Sequence, residues 1–287
     1  MMLNKSAWAS YGAMAVFVLL WGSAAIFTRW GLDHGSAFAL LIVRFGLAFI
    51  VLLVLGLSRG RWLPTEGTRW WVGLTGLLMI GSYAICYFQA MAHGITPGVI
   101  ATLLGVQPIL TLLLVERRFS ALRLLGLLVA LAGLAMVVYQ SLIIARFSML
   151  GVGFALAALL CMTVGAILQK RVQQAPAEVL PLQYGMSLVL CLAFVPFQPI
   201  RMEWSLGFIG PVVWLGLVIS VAAQLLLYRM IRGGNLVNVT SLFYLVPAVT
   251  AAMDYLFLGN ALSALSMVGM LAILVGVVLV FRQRPAA

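Results

Sequence analysis

The sequence predicts an all-α integral membrane protein of ten transmembrane helices, arranged as two inverted five-helix repeats with both termini in the cytoplasm. Three observations lead to this prediction: the composition, ten apolar segments of spanning length, and a repeated pattern of prolines and glycines. The chain of 287 residues is 64% hydrophobic and only 8% charged, with a mean hydropathy of +1.17. Soluble domains normally carry about 25% charged residues, so the composition excludes a soluble globular protein.

Ten apolar segments alternate with short polar connections. Crossing the roughly 30 Å hydrocarbon core of a bilayer takes about 20 apolar residues in a helix, and each segment has about this length. The first apolar run continues to about Trp30, well beyond the roughly 7–15 residues of a signal-peptide core, so we interpret it as the first spanning helix. The predicted spans are residues 10–30, 37–57, 69–92, 96–115, 121–139, 149–170, 178–199, 205–231, 236–258 and 262–281.

A motif in the first half of the chain recurs near its end, from 98–139 to 237–281. Each copy is an apolar helix with a proline near its middle, a short polar break, and an apolar helix with two glycines at the same spacing. The second copy has four more residues between proline and glycine, about one helical turn, so one helix or its loop should be a turn shorter. We assign the repeats to residues 1–145 and 146–287. The matched positions are Pro108 and Pro247, Gly126 and Gly269, and Gly133 and Gly276.

The distribution of basic residues predicts the side of the membrane that each loop occupies. Short loops rich in Lys and Arg stay in the cytoplasm. With the N-terminus inside, thirteen of the 17 basic residues are cytoplasmic, three are outside, and Arg44 lies within a helix. Five helices per repeat then require the second repeat to be inverted, which is the architecture of many secondary transporters. The cytoplasmic set is Lys5, Arg59, Arg61, Arg69, Arg117, Arg118, Arg123, Lys170, Arg171, Arg229, Arg232, Arg282 and Arg284, and the outer set is Arg29, Arg146 and Arg201.

The sequence argues against several other classes of function. The net charge of +11 comes from basic residues scattered singly or in pairs, so a nucleic-acid partner is not expected. No catalytic motif occurs, so an enzyme is not predicted. Because Cys86, Cys161 and Cys191 lie inside apolar segments, like buried small hydrophobes, neither a metal nor a cofactor is expected. The expected partners are a small-molecule substrate and the lipid bilayer, with a functional monomer or, alternatively, a dimer.

Several ordered motifs resemble those of a known transporter family. They are Trp21-Gly22-Ser23 in the first helix, Arg44-Phe45 in the second, a proline in the fourth and ninth, and Glu116 ahead of the helix with Gly126 and Gly133. Together they resemble the duplicated EamA domain of the drug/metabolite transporter superfamily. The second copy departs from this pattern, because Asn260 stands where such domains often place a glutamate. Any role of Glu116 would therefore have no carboxylate counterpart in the second repeat.

Within that superfamily the chain is most similar to the bacterial ten-helix exporters of the YddG type, which export aromatic amino acids and methionine. The resemblance implies a multi-pass protein of the bacterial inner membrane that exports amino acids or similar small metabolites by alternating access. An exporter of other metabolites or of drugs is the alternative, and a passive channel or an intramembrane enzyme are further ones.

Arg44, Asp254 and Glu116 are candidates for a gate or an ion pair. A charge within a spanning helix costs at least about 2.5–3.5 kcal/mol, so Arg44 and Asp254, both toward the outer side, invite an explanation. They could pair and lock the outer ends of the helices, or Asp33 could be the partner of Arg44. Alternatively, Arg44 binds a substrate carboxylate, or Asp254 is protonated during transport. Glu116 lies beside two arginines at a cytoplasmic helix end, which is typical of an interfacial ion pair.

Aromatic, amide and small polar residues near the middle of the helices predict a substrate cavity. Tyr83 and Tyr87 are four residues apart, as are Gln224 and Tyr228, so each pair shares a helix face. Such a lining suits a zwitterion with an apolar or aromatic side chain. Packing in the core or against lipid is the alternative for any one of them. The predicted lining is Trp21, Tyr83, Tyr87, Gln107, Cys161, Thr163, Gln224, Tyr228 and Tyr244.

Overall fold

The computed structural model describes the backbone of residues 5–116, 119–139, 143, 148–198, 200–258 and 263–282, and within these ranges the side chains of 11–253 and 263–282. In this part of the chain nine helices are long and apolar enough to span a membrane. A tenth apolar helix, Ala121–Val137, has 17 residues, which is at the lower limit for a span. The predicted ten-helix membrane fold is confirmed.

The first repeat contains α1 (Lys5–Leu32), α2 (Ala37–Ser58), α3 (Arg69–Ala92), α4 (Pro97–Val115) and α5 (Ala121–Val137). The second repeat contains α6 (Met149–Arg171), α7 (Pro176–Ala193), α8 (Leu206–Gly233), α9 (Leu236–Met253, continuing in helix to Leu258) and α10 (Ala264–Arg282).

Short polar side chains begin five of these helices. In each case the side-chain oxygen accepts a hydrogen bond from a backbone N–H of the first turn, which has no partner within the helix. The capping residues are Ser36, Thr96, Ser120, Ser148 and Asn235. They fix where α2, α4, α5, α6 and α9 start.

The connections assigned to the cytoplasm by their charge contact one another. Thr65 N of the α2–α3 connection donates to Gln174 Oε1 of the α6–α7 connection. Lys170 Nζ, in the last turn of α6, donates to Gly234 O at the start of the α8–α9 connection. Asn235 Nδ2 of that connection donates to Glu116 Oε1 of the α4–α5 connection. At the opposite end, the α1–α2 and α7–α8 connections meet where Ser36 N donates to Arg201 O at 2.8 Å. These six connections therefore lie on two faces in the alternation that the basic residues predict.

α5 and α10 pack against each other through the four glycines of the repeated motif. A Cβ added at Gly126 would lie 2.9 Å from Gly276 O, and one added at Gly133 would lie 2.6 Å from Gly269 O. The contacts are reciprocal, since a Cβ at Gly269 would lie 2.6 Å from Gly133 O. The earlier glycine of α5 meets the later glycine of α10, so the equivalent helices of the two repeats run antiparallel, as inverted repeats require.

α2 and α7 are a second equivalent pair and carry matching tripeptides. Arg44-Phe45-Gly46 in α2 aligns with Gln183-Tyr184-Gly185 in α7 when the two halves of the sequence are aligned on Pro108 and Pro247. Each tripeptide has a polar residue, an aromatic residue and a glycine. The rings of Phe45 and Tyr184 pack edge to face with centroids 5.6 Å apart. Equivalent residues of the two repeats thus meet in the middle of the bundle.

α4 and α9 are interrupted near their prolines. The break in α4 falls between Pro97–Leu104 and Gln107–Val115, and α9 contains the 3₁₀ turn Leu242–Tyr244 just before Pro247. After Pro108 the helix continues to Val115, but after Pro247 it continues to Leu258, four residues or one turn further. The predicted difference of one turn between the copies is confirmed.

Candidate functional site

Two small cavities lie between the repeats and share Trp21, Tyr83, Tyr87 and Met162 as lining residues. The first, called the arginine cavity, has a volume of about 50 Å³ and is lined by Trp21, Ala24, Thr28, Arg44, Phe45, Met79, Ile80, Tyr83, Ala84, Tyr87, Phe88, Met162, Tyr184, Ile219 and Gln224. The second, called the proline cavity, has a volume of about 80 Å³ and is lined by Trp21, Tyr83, Tyr87, Ala101, Leu104, Gly105, Gln107, Met162, Phe243, Val246 and Pro247. Both repeats contribute residues to each.

Arg44 is the charged residue of the arginine cavity. Its Nε–H donates to Ser220 Oγ at 2.8 Å, which ties α2 to α8. Arginine has five N–H donors, so the four on Nη1 and Nη2 remain beyond this bond. Tyr83 and Tyr87 lie on the same cavity wall with ring centroids 5.9 Å apart. The cavity therefore combines one fixed cation with two phenol rings.

π-helical segments place polar cavity residues in both repeats. Leu77–Ser82 ends directly before Tyr83 in α3, and Trp214–Ala223 ends directly before Gln224 in the equivalent helix α8. A π-helical turn uses i→i+5 hydrogen bonds, which shifts the face of the residues that follow, and such turns are frequent at functional sites. The irregularity thus turns Tyr83 and Gln224 toward the arginine cavity.

The proline cavity is lined by residues beside the helix breaks that precede Pro108 and Pro247. Proline has no N–H, so the carbonyl four residues earlier loses its helical donor. The Leu104 carbonyl is in this position relative to Pro108, whereas the Phe243 carbonyl, four residues before Pro247, accepts from the Leu245 N–H in the 3₁₀ turn. Both residues line the proline cavity. Gln107, which is 2% exposed, has an Nε2 group without a hydrogen-bond partner among the described residues. The Gln107 amide is therefore available as a hydrogen-bond donor to a bound molecule.

Trp21-Gly22-Ser23 joins α1 to the second repeat while its tryptophan lines both cavities. Thr250 Oγ1 of α9 donates to Gly22 O at 2.7 Å. Trp214 Nε1 of α8 donates to Ser23 Oγ at 2.8 Å. The glycine lets α9 approach closely, and the serine satisfies a buried indole. Each residue of the tripeptide has its own contact, which explains why the three occur together.

The sequence model of the EamA-like transporter family matches residues 8–139 and, a second time, residues 149–282. This chain belongs to the EamA-like transporter family. One match falls in each half, so the transporter is a duplicated EamA-like protein of the drug/metabolite transporter superfamily. The matches do not set the boundary between 145 and 146, which stays a prediction. As a member of a transporter family, it takes a small-molecule substrate and works within a lipid membrane.

A solved crystal structure is similar to this EamA-like transporter over 94% of this chain and 98% of the other, with a TM-score of 0.78 and 19% sequence identity. At that identity the similarity supports the fold alone. No curated protein matches the chain.

Of the nine residues predicted to line a substrate cavity, five line the two central cavities: Trp21, Tyr83, Tyr87, Gln107 and Gln224. Their contact with a substrate stays a prediction. The other four line neither cavity. Tyr228 and Tyr244 are 0% exposed and belong to apolar clusters, and Thr163 Oγ1 donates to Leu159 O in its own helix. Cys161 is half-buried on α6, beside Met162, which takes the cavity-facing position.

Asp33, the alternative partner considered for Arg44, forms its ion pair elsewhere. Asp33 pairs with Arg29 at 2.9 Å, because the two are four residues apart on one helix face. The side chain of Asp254, the other candidate partner, lies outside the described residues. Asn260 and the arginines at 117, 118, 146 and 284 also lie outside them. Glu116 forms an ion pair, as expected, but its partner is Arg123 and the pair is buried.

A larger groove of about 650 Å³ lies between α1, α9 and α10 of this EamA-like transporter. Its lining is almost entirely apolar and includes Tyr11, Leu19 and Val278, which are exposed. Because its lining is apolar and lies on the outside of the bundle, we assign this groove to the surface that faces the membrane. The two central cavities, where charged and polar groups of both repeats converge, are therefore the candidate substrate site.

Sequence reasoning missed Tyr184 and Phe243, both of which line the central cavities. The signal for Tyr184 was present, because Gln183-Tyr184-Gly185 repeats the Arg44-Phe45-Gly46 tripeptide. The signal for Phe243 was its place four residues before Pro247.

Proposed function

We propose that this EamA-like transporter exports aromatic amino acids, methionine or similar small metabolites from the cytoplasm of a bacterium by alternating access. The observation that carries the proposal is the pair of central cavities, in which Trp21, Tyr83 and Tyr87 of one repeat face Gln224 and Phe243 of the other. Aromatic rings supply apolar surface and stacking, and amides supply hydrogen bonds. This combination suits a zwitterion with an apolar or aromatic side chain.

The size of the cavities supports a cycle with more than one conformation. Ligand sites for small molecules usually have volumes of about 300–1,000 Å³, whereas the arginine and proline cavities measure about 50 and 80 Å³. Substrate entry therefore requires the surrounding helices to separate. α4 and α9 are suited to such movement because both are already broken beside the cavity.

The charge distribution supports an inner-membrane location with both termini in the cytoplasm. Both repeats of one chain line the cavities, so the proposed functional unit is a monomer, with a dimer as the alternative.

Transport by purified protein in liposomes tests the proposal. Labelled phenylalanine, tryptophan and methionine should enter in a saturable manner and should show counterflow, in which an unlabelled internal substrate drives uptake of the labelled one. Liposomes without protein give the background. Flux that never saturates would indicate a channel, and failure to move any of these amino acids would reject the proposed substrates.

Proton coupling through Asp254 is a second part of the proposal, since this acidic residue lies in the interior of a predicted span, whereas Glu178 lies at the end of one. Protonation of a carboxylate inside a membrane is a common way to drive transport. An imposed pH gradient should stimulate transport by the unmodified protein and have little effect on Asp254→Asn. Equal stimulation of both proteins would exclude the coupling role.

A further inference from the structure

Arg44 has a positive charge that no described acidic side chain neutralises. The chain has six acidic residues, and four of them are in ion pairs elsewhere. Glu203 is exposed in the α7–α8 connection, and the side chain of Asp254 lies outside the described residues. The four ion pairs are Asp33 with Arg29, Glu178 with Arg61, Glu66 with Arg69, and Glu116 with Arg123.

At the equivalent position of the second repeat, the corresponding helix contact is formed without a charge. Gln183 replaces Arg44 at the matching position of α7. Its Nε2 donates to Val72 O of α3 at 3.2 Å and to Gln169 Oε1 at 3.0 Å, just as Arg44 donates to Ser220 of α8. A neutral amide thus joins α7 to α3 in the same way as the guanidinium joins α2 to α8. The hydrogen bond to Ser220 therefore does not by itself account for the charge of Arg44.

The geometry of the arginine cavity fits a carboxylate as the partner of this charge. Nε is held by Ser220, which orients the guanidinium and leaves the N–H groups of Nη1 and Nη2 for a ligand. This planar group binds both oxygens of a carboxylate. The same cavity contains the rings of Trp21, Tyr83 and Tyr87 for an apolar or aromatic side chain. No described carboxylate lines either cavity to receive a substrate ammonium group.

We propose that Arg44 binds the substrate carboxylate and that this carboxylate, and not the amino group, is the group that the cavity requires. The inference rests on the proposed function and narrows its substrate class to carboxylates with an apolar or aromatic side chain. Such a site accepts an amino acid and also the corresponding 2-oxo acid, which has no amino group. It rejects the corresponding amine, which has no carboxylate.

Competition with the unmodified protein tests this selectivity without any variant. Counterflow of labelled phenylalanine in liposomes is measured with unlabelled phenylalanine, phenylpyruvate or phenethylamine as competitor. Phenylpyruvate should compete within about threefold of phenylalanine, and phenethylamine should be at least about tenfold weaker, as expected for loss of a hydrogen-bonded charge pair. Equal competition by phenethylamine and phenylpyruvate would overturn the inference while leaving phenylalanine transport, and so the proposed function, intact.

Arg44→Gln tests the residue itself, because it gives position 44 the same side chain as the equivalent residue of the second repeat, Gln183. The variant should fold and should bind phenylalanine and phenylpyruvate at least about tenfold more weakly, measured by ligand-induced thermal stabilisation as well as transport. Arg44→Lys keeps the charge without the planar group and should be intermediate. Arg29→Gln, which removes a positive charge from the exposed pair with Asp33, is the matched control and should bind like the unmodified protein.

The alternative to substrate binding is that Asp254 neutralises Arg44, so that the positive charge of Arg44 has a structural role. In that case the double variant Arg44→Gln with Asp254→Asn would bind both carboxylates as the unmodified protein does, and the inference would fail. If Arg44 binds the substrate, the double variant should be as defective as Arg44→Gln alone. An unmodified protein that moves neither phenylalanine nor phenylpyruvate would reject the proposed function and this inference together.

Discussion

Arg123 Nη1 donates to Glu116 Oε2 at 2.8 Å, and the two side chains are only 1% and 8% exposed. Arg123 Nη2 also donates to Asn235 Oδ1 at 2.6 Å and to Asn238 Oδ1 at 2.8 Å. This cluster joins the α4–α5 connection of the first repeat to the start of α9 in the second. α4 and α9 both border the proline cavity, so the cluster holds their cytoplasmic ends together in this conformation.

Replacing Glu116 with glutamine should destabilise the protein strongly. The change leaves the buried Arg123 guanidinium without its counter-charge, and breaking a buried pair in this way costs about 3–5 kcal/mol. Chemical denaturation in detergent micelles measures the loss. Arg29→Gln serves as the control, since its pair with Asp33 is exposed and should contribute less than about 1 kcal/mol. Equal losses for the two variants would contradict the role assigned to the cluster.

The close approach of α5 and α10 predicts that one added methyl group at their contact will destabilise the protein. In Gly133→Ala the new Cβ would lie 2.6 Å from Gly269 O, so the helices must separate, at a cost of about 1–3 kcal/mol. Gly153→Ala is the control, because a Cβ at that helical position meets nothing within 4 Å and alanine favours a helix. The thermal unfolding temperature of both proteins measures the difference. A stable Gly133→Ala protein would show that the helices are not held at this distance.

The fold was largely predictable because its determinants are local or repetitive. Spanning helices follow from length and hydropathy, and sidedness follows from the basic residues. The glycine pairs were recognised as a repeat, but their contact across the bundle is tertiary, so sequence spacing alone could not show that Gly126 meets Gly276 and Gly133 meets Gly269.

The candidate site was less predictable, because helix rotation decides which side chains face a cavity. The π-helical segments before Tyr83 and Gln224 shift that rotation, and no sequence rule locates them. Tyr228 shares a regular helix face with Gln224, yet it is buried in the apolar core. Likewise, Arg123 was counted as a cytoplasmic loop charge, but its side chain turns inward to Glu116.

Removing the ring of Tyr87 should reduce transport more than it reduces stability. Tyr87 lines both central cavities, and loss of an aromatic contact with a ligand is worth about 0.5–1.5 kcal/mol. Tyr87→Ala should therefore raise the KM for phenylalanine roughly two- to tenfold in liposomes at equal protein content. Tyr11→Ala, which removes an exposed tyrosine, should leave the KM unchanged. A KM that changes equally in both variants would remove Tyr87 from the substrate site.

Replacing Lys170 with methionine should loosen the cytoplasmic end of α8. Its Nζ donates to Ile231 O at 2.8 Å, to Arg232 O at 3.1 Å and to Gly234 O at 2.6 Å, carbonyls at a helix end that have no helical donor. A cation there is also favoured by the helix dipole. Lys170→Met keeps the length of the side chain but removes the donors, so stability should fall by about 1–2 kcal/mol.

Hydrogen exchange at residues 231–234 locates the effect of Lys170→Met, because loss of the donors should raise the exchange rate there and not at α2. Arg171→Met is the matched control: it removes the same charge one residue later, from an exposed side chain, and should change stability by no more than about 0.5 kcal/mol. Lys170→Arg retains donors and should preserve part of the protection. Unchanged exchange in Lys170→Met would mean that water or other groups satisfy these carbonyls, and that the lysine does not hold α6 to α8.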